Sequence, residues 1–215
     1  MNNCVIVLGE SGSGKSTSLR NLNPEETFVL NVLDKPLPFR GYKKKYNDNA
    51  KNYYSTDNYL AIIKYINAIN ERRPEIKSII IDDFNFIMSN EFMHRSSERG
   101  YDRFTDIGKH TFDIVETIKG CREDLYCFIL SHTEITSDGK IKCKTVGKVI
   151  DDKVSIEGRV TTVLHALIID GEFKFLTQND GIHVAKTPMG LFDQRYIEND
   201  LRMVKEALLE YYNEE

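Results

Sequence analysis

The stretch CVIVLGESGSGKST, residues 4–17, constrains the fold of this chain more than any other part of it. Its apolar run at 4–8 predicts a buried parallel strand, because such strands are covered on both faces. Residues 15–22 predict a helix, which ends before Pro24 because the residue preceding a proline avoids helical backbone angles. A strand, a glycine-rich loop and a helix in direct succession therefore predict an α/β domain.

The loop between this strand and this helix matches the pattern G-x-x-x-x-G-K-[ST]. Its glycines allow several backbone N–H groups to point at one anion, and the start of the helix adds a positive partial charge. Lys15 is predicted to neutralise the β- and γ-phosphate oxygens of a nucleotide, and the Ser16 hydroxyl to ligate Mg²⁺. The predicted nucleotide-binding residues are Gly9, Glu10, Ser11, Gly12, Ser13, Gly14, Lys15, Ser16 and Thr17.

A magnesium ion at such a loop also needs a carboxylate from a neighbouring strand. The segment KSIIIDDF at 77–84 predicts a buried strand that ends on two aspartates. Asp82 is expected to hold Mg²⁺ through water. For Asp83 two interpretations remain open. Its carboxylate orients or deprotonates the attacking water, or it caps the helix that begins at residue 84.

Two further predicted strands end on polar residues. The strand at 125–134 contains FILSHTE, so His132, with Ser131 beside it, is predicted to reach the γ-phosphate or the attacking water. A lone histidine is more often structural, and that interpretation stays open. The strand at 27–33 is followed by Asp34, a further carboxylate candidate. Because the carboxyl ends of parallel strands line the ligand crevice of α/β sheets, these side chains are expected near the phosphate loop.

Strands and helices alternate along most of the chain. Thr56 or Asp57 is expected to cap the helix that follows the long loop. The fold class is therefore α/β, with a mostly parallel central sheet and a C-terminal hairpin extension, in one domain over 1–215. The remaining predicted elements are a long loop at 34–56, helices at 57–72, 85–99, 105–122 and 198–212, a tight turn at 137–140, and a hairpin at 160–177 turned at Asp170-Gly171.

Composition excludes several classes of protein. No run of about 18 apolar residues predicts a transmembrane helix, and the N-terminus lacks the basic region and long apolar run of a signal peptide. The four cysteines have no C-x-x-C spacing, which favours free thiols in a reducing cytoplasm over a metal site. The net charge of −4 argues against nucleic-acid binding along the whole chain, so any such binding is expected at local patches.

Two basic segments are candidates for such patches. FRGYKKKY at 39–46 interleaves lysines with Tyr42 and Tyr46, a composition that suits phosphate pairing and base stacking on a single strand. GKIKCKTVGK at 139–148 follows the strand of His132. A solvated charged face explains either segment equally well. The candidate DNA-binding residues are Lys43, Lys44 and Lys45 in the first segment and Lys142, Lys144 and Lys148 in the second.

Several segments taken together resemble one family. In chain order they are GESGSGKSTSLRNLNPEETFVLNV, KPLPFRGYKKKY, SIIIDDFNFI, FILSHTE, KTVGKVIDDKVSIEGRVTTVLHA and AKTPMGLF. They are similar to the small AAA-type ATP-binding proteins of tailed bacteriophages, some of which are described as minimal RecA-like recombinases that promote single-strand annealing. The resemblance covers nearly the whole chain, and KPLPFRG and GKVIDDKVSIEG are its more specific parts.

The resemblance implies a P-loop NTPase with a RecA-like core that hydrolyses ATP with Mg²⁺ in DNA recombination or replication. It implies annealing or strand exchange of single-stranded DNA in the host cytoplasm, with other copies of the chain and phage replication or recombination proteins as candidate partners. RecA-like ATPases carry a catalytic glutamate near the position of Asp34, and loops after the strand of His132 contact DNA. A basic residue of a neighbouring copy often completes such sites. The candidates are Arg95, Arg99, Arg103, Lys142, Lys144 and Lys148.

Two other functions stay open. A small-molecule or nucleoside kinase would use an arginine-rich lid, for which HRSSERGYDR at 94–103 is the candidate, although the polar end of the His132 strand favours an ATPase. A non-hydrolysing, nucleotide-dependent adaptor or loader would bind ATP without contacting DNA. Guanine nucleotides are disfavoured because the chain has no N-K-x-D motif. ATP turnover with and without single-stranded DNA distinguishes these functions.

Overall fold

A computed structural model of the protein describes residues 3–146 and 155–213. The strands in these parts of the chain are β1 (Cys4–Leu8), β2 (Thr27–Asn31), β3 (Tyr53–Ser55), β4 (Ser78–Asp82), β5 (Tyr126–Ser131), β6 (Thr133–Ile135), β7 (Ile141–Cys143), β8 (Thr162–Ile169), β9 (Glu172–Leu176) and β10 (Tyr196–Glu198). The α-helices are α1 (Tyr42–Lys45), α2 (Tyr59–Arg72), α3 (Asn85–His94), α4 (Asp102–Lys119) and α5 (Leu201–Asn213). Short 3-10 helices cover Ser16–Asn21 and Glu157–Arg159.

The central sheet has eight strands in the order β10-β9-β8-β1-β5-β4-β2-β3. From β8 to β3 every neighbouring pair is parallel. Parallel strands need crossover connections, and helices supply most of them here. The predicted mixed α/β class with a mostly parallel central sheet is confirmed. β5 lies between β1 and β4, so the strand ends that carry the candidate residues meet at one edge of the sheet.

Alternation along the strands divides the core into two layers. On β1, Ile6 and Leu8 belong to the layer that packs against α2, α3 and α4. Val5 and Val7 belong to the other layer, together with α5 and the 3-10 helix at Ser16–Asn21. Successive side chains of a strand point to opposite faces, so a run of apolar residues serves both layers at once. This explains why the strands of the sheet centre are apolar throughout.

The C-terminal hairpin lies at one edge of the sheet, as predicted. β8 is parallel to β1, β9 returns antiparallel to β8, and β10 is antiparallel to β9. Asp170 (φ 52°) and Gly171 (φ 82°) form the turn between β8 and β9. A two-residue hairpin turn of type I′ needs positive φ at both central positions, which Asp and Gly tolerate. The predicted turn at 137–140 also joins two short strands, β6 and β7.

The prediction of an unbroken loop at 34–56 was wrong, because this segment contains α1 and β3. β3 satisfies its backbone by pairing with β2, and Tyr46 at the end of α1 is buried in the core. Neither feature leaves a clear periodic signal, since both elements have only three or four residues. Tertiary packing therefore ordered a segment whose composition favours a loop.

Four helices also differ from their predictions, in type, in cap or at their ends. The predicted helix at 15–22 is a 3-10 helix, Ser16–Asn21, and the Ser18 hydroxyl bonds the Lys15 carbonyl, which competes with α-helical pairing. The cap of α2 is Asn58, whose side chain accepts from the Ala61 N–H at 3.0 Å, rather than Thr56 or Asp57. α3 ends at His94, short of the predicted 99, and α4 covers 102–119 instead of 105–122. Helix ends are decided by local hydrogen bonds that a periodic pattern does not record.

No helix in the described parts of the chain has both the length and the apolar character that crossing a membrane requires.

Candidate functional site

A cavity of about 360 Å³ lies where β1, β4 and β5 end. Three groups of residues line it: the glycine-rich loop at 9–17, called the phosphate loop after its predicted role, the start of the segment after β2, and the polar residues that follow the strands. The lining residues are Ser11, Gly12, Gly14, Lys15, Ser16, Thr17, Lys35, Pro36, Pro38, Asp82, Asp83 and His132. The structure therefore brings together most of the residues that the sequence analysis selected. This is the position at which α/β sheets bind ligands.

The phosphate loop is held in its shape by close packing. Gly14 has a φ of 92°, and a Cβ there would lie 2.8 Å from the Phe173 ring, so this position accepts only glycine. Lys15 is 6% exposed, and its ammonium donates to the carbonyls of Gly9 and Glu10, each at 2.8 Å. An ammonium has three protons, so one remains for a further acceptor in the cavity.

Burial lowers the pKa of Lys15 to about 8, against the opposing effects of Asp82 and Asp83. The nearby carboxylates therefore compensate the charge of this lysine only in part. A buried cation without a full set of partners favours an incoming anion, because binding restores the pairing that burial removed. The loop and its lysine together can hold a phosphate chain.

Ser16 and Asp82 join the loop to the end of β4. The Ser16 hydroxyl donates to Asp82 Oδ1 at 2.8 Å. Burial, followed by the nearby Asp83 carboxylate, raises the pKa of Asp82 to about 6. Hard oxygen donors suit Mg²⁺, which usually takes one or two carboxylates and completes its shell with water and phosphate oxygens. The hydroxyl of Ser16 and the carboxylate of Asp82 are therefore suitable ligands for Mg²⁺. Within the described ranges, no cluster of three or more His, Cys, Asp or Glu side chains could hold a metal ion.

Asp83 follows β4 directly and has a left-handed backbone, with φ of 63°. Its Oδ1 lies 3.2 Å from His132 Nε2, and its Oδ2 lies 2.8 Å from Lys35 Nζ. Burial acts to raise the pKa of Asp83, but hydrogen bonds from His132 and Lys35 hold that pKa below its usual value. The N-cap of α3 is Phe84, without a side-chain cap, so the capping interpretation of Asp83 is not supported.

His132 is fixed from two further sides. Its backbone N–H donates to Asn85 Oδ1 at 3.1 Å, and its ring meets Phe86 edge-on at 5.7 Å. Asn85 and Phe86 both belong to the first turn of α3, which follows the two aspartates. The end of β5 is thus tied to the end of β4 through side chains of one short segment. His132 faces the cavity with an orientation that its neighbours determine.

Asp34 is not among the residues that line the cavity. Its carboxylate accepts from the Tyr53 hydroxyl at 3.0 Å, and its φ of 53° turns the chain so that the next residue, Lys35, faces the cavity instead. Sequence reasoning missed Lys35, Pro36 and Pro38. The signal available was their position directly after a strand that ends at the same edge as β4.

The first basic segment is only partly available to a ligand. Lys43 and Lys44 are exposed, whereas Lys45 donates to the Arg20 carbonyl at 2.8 Å. Tyr46 is buried at 2% exposure, so the expected base stacking on this ring is wrong. Tyr42 is half-buried and meets Phe39 edge-on. What remains of this patch is a pair of lysines on the exposed side of α1.

The second basic segment is carried by the β6–β7 hairpin. Lys142 lies 3.5 Å from Glu134, and Lys144 is exposed. The Lys144 N–H donates to the His132 carbonyl at 2.8 Å, so the hairpin is attached to the cavity at its base. Lys148 lies outside the described residues.

Two of the arginines expected to act on a neighbouring copy are engaged within their own chain. Arg95 pairs with Glu91, Glu98 and Asp106. Arg103 donates to the carbonyls of residues 95, 96 and 98 and lies over the rings of Phe92 and Phe104. Arg99 is exposed. These contacts make Arg95 and Arg103 poor candidates for either a kinase lid or a neighbour's site.

Comparison of the chain with protein-family models and with curated proteins gave no match.

Proposed function

We propose that this protein is a Mg²⁺-dependent P-loop ATPase with a RecA-like core, acting on single-stranded DNA in phage recombination or replication. The observation that carries the ATPase part is the hydrogen bond between Ser16 and Asp82. It places the hydroxyl of the phosphate loop against the carboxylate of β4, which is the donor pair that a nucleotide-bound Mg²⁺ requires.

The chain's own residues account for binding and orientation. Backbone N–H groups of the phosphate loop and the Lys15 ammonium would hold the β- and γ-phosphates. Ser16 and Asp82 would hold Mg²⁺, which when bound supplies charge neutralisation to the phosphate oxygens. Pro36 and Pro38 provide apolar walls that suit the sugar and base of the nucleotide.

His132 is the residue best placed to orient the attacking water. It lies at the end of β5, between the phosphate loop and the two aspartates, and its ring is held by Asp83 and Phe86. Hydrolysis of this kind depends mainly on positioning and electrostatic stabilisation, because the protein does little covalent chemistry in phosphoryl transfer. Such a geometry favours an ATPase over the kinase alternative.

The DNA part of the proposal rests on the family resemblance and on the exposed lysines of the two basic segments. The test is the rate of ATP hydrolysis with and without single-stranded DNA, measured with a mass determination in ATP. We expect Mg²⁺-dependent turnover that rises when single-stranded DNA is added. ATP binding without turnover would support the adaptor, and phosphoryl transfer to a nucleoside would support the kinase.

Replacing Lys43, Lys44 and Lys45 together by alanine is expected to weaken binding of single-stranded DNA. Each lost phosphate contact reduces the slope of log affinity against log salt by about 0.7. Since Lys45 is held by the Arg20 carbonyl, we expect the loss of about two contacts. Binding of a labelled oligonucleotide at several salt concentrations measures the slope.

The matched control is alanine at Lys64, Lys109 and Lys119, which removes the same charge from exposed positions on α2 and α4. An equal loss of affinity in both triple variants would mean that net charge, and not the α1 patch, determines DNA binding.

Replacing Lys142 and Lys144 by alanine is expected to reduce DNA-stimulated ATP hydrolysis more than hydrolysis without DNA. The reason is the hydrogen bond from the Lys144 backbone to the His132 carbonyl, which connects the hairpin to the cavity. Steady-state rates over a range of oligonucleotide concentrations measure the effect. If the two rates fall in proportion, the hairpin lysines support the site without sensing DNA.

A further inference from the structure

Lys35 and Asp83 form an ion pair inside the proposed nucleotide site. The Lys35 ammonium lies 2.8 Å from Asp83 Oδ2, and the lysine side chain is 55% exposed whereas the aspartate is 9% exposed. Both residues line the cavity that contains Lys15, Ser16 and Asp82. A second lysine therefore lines the same cavity as the phosphate loop. It lies in the segment after β2, the strand next to β4, which carries Asp82.

We propose that Lys35 is a second phosphate-binding lysine, supplied by the same chain, and that Asp83 is the residue that positions it. This inference rests on the proposed ATPase function and adds the γ-phosphate as the group that Lys35 recognises. The cation that related assemblies take from a neighbouring copy is thus provided within one chain.

The geometry around Asp83 argues for positioning and against proton abstraction. Both of its oxygens are engaged, one by His132 and the other by Lys35. The positive Lys35 ammonium stabilises the charged form of the carboxylate, so Asp83 is a weaker base towards a proton of water. It instead orients the two groups that approach the cavity from β5 and from the segment after β2.

The position of Lys35 depends on the backbone at two residues, Asp34 before it and its partner Asp83. Asp34 and Asp83 both adopt positive φ, at 53° and 63°. Such angles are uncommon for residues other than glycine and persist where surrounding contacts require them. The Lys35 ammonium also lies 5.5 Å from the centre of the Phe86 ring, which restricts it further. An ordinary exposed ion pair has no such supports and contributes little.

The first test compares binding of a non-hydrolysable ATP analogue with binding of ADP. Lys35→Ala is expected to weaken the analogue about tenfold, which corresponds to about 1.4 kcal/mol, because a charge-assisted hydrogen bond to the γ-phosphate is lost. ADP, which lacks the γ-phosphate, should change less than about twofold. Lys35→Arg should retain most of the preference because it keeps the charge and the donors.

The matched control is Lys109→Ala, which breaks an exposed lysine–aspartate pair with Asp113 on α4, outside the cavity. It should leave both affinities unchanged. Equal weakening of the analogue and ADP by Lys35→Ala would overturn the assignment of Lys35 to the γ-phosphate. If the wild-type protein bound neither nucleotide, the proposed function itself would fail. If the wild-type protein bound ATP and Lys35→Ala changed neither affinity, only this inference would be overturned.

The second test is a double-mutant cycle on ATP hydrolysis. Asparagine tolerates positive φ, so Asp83→Asn keeps the backbone and removes the charge. If Asp83 positions Lys35, Asp83→Asn should slow the Lys35→Ala protein less than it slows the wild type, because the two changes share one interaction and only the contact of Asp83 with His132 remains to be lost. An Asp83→Asn effect of full size in the Lys35→Ala background would instead make Asp83 an independent participant.

The third test asks whether Lys35 acts within its own chain. Lys35→Ala and Asp82→Asn proteins are mixed, and the ATPase rate is measured against total protein concentration. Action within one chain predicts no recovery of activity, since every site then carries one defect. In an equal mixture, recovery towards about a quarter of the wild-type rate would show that Lys35 serves a neighbouring copy.

Discussion

Replacing Lys15 by methionine or alanine is expected to abolish productive binding of ATP. The Lys15 ammonium is buried beneath the phosphate loop and bonded to the carbonyls of Gly9 and Glu10. Charge-assisted hydrogen bonds to phosphate are among the strongest that a protein makes, so the expected loss in affinity is about 10²-fold or more. Titration with a fluorescent nucleotide and the steady-state ATPase rate measure the loss.

The fold should survive this change. Methionine keeps the apolar stem of the side chain, and removal of a buried charge relieves the desolvation that lowers the pKa of Lys15 to about 8. The thermal unfolding midpoint of Lys15→Met should therefore equal or exceed that of the wild type. Hydrolysis at close to the wild-type rate in either variant would show that the phosphate loop is not the site of ATP.

Replacing Asp82 by asparagine is expected to lower ATP turnover while it raises the stability of the fold. ATP should still bind through Lys15 and the loop, but turnover should fall by about 10² or more because the carboxylate that would hold Mg²⁺ is gone. Asparagine keeps the shape of the side chain and can still accept from the Ser16 hydroxyl. Single-turnover hydrolysis, with protein in excess over ATP, measures the effect on the chemical step.

The same variant should be more stable than the wild type when no ligand is bound. Burial and Asp83 raise the pKa of Asp82 to about 6, above its unfolded value near 3.8. A raised carboxyl pKa means that the ionised form destabilises the fold, so the cost is absent below about pH 4, grows between pH 4 and 6, and is complete above pH 6. Since one pKa unit is worth about 1.4 kcal/mol, the cost at pH 7 is about 3 kcal/mol.

Chemical unfolding of Asp82→Asn and wild type at pH 7 and pH 4 tests this sign. The variant should be stabilised at pH 7, and the difference should nearly disappear at pH 4. Asp124→Asn is the control, because Asp124 is half-exposed and pairs with Lys77 and Arg122 at the surface. If the Asp82→Asn protein were less stable than wild type at pH 7 and fully active, Asp82 would have no role in holding Mg²⁺.

Local patterns in the sequence were sufficient to predict the strands, the loop and the turn that surround the site. The apolar runs of β1 and β4 predicted strands to within a few residues, because a strand buried on both faces has to be apolar at every position. The glycines predicted the tight loop after β1, because its backbone needs positive φ at Gly12 and Gly14. The Asp170-Gly171 turn followed from the same steric requirement.

Contacts between distant parts of the chain decided what the sequence could not. Tyr46 and Lys45 were expected at a DNA surface, but one ring is buried and one ammonium is held by a carbonyl of a different element. Asp34 was a candidate for the site because it follows β2. Its carboxylate accepts from Tyr53 instead, and the next residue, Lys35, lines the cavity. Local backbone preferences constrain one segment at a time, whereas the direction of a side chain depends on partners that only the folded sheet brings within hydrogen-bonding distance.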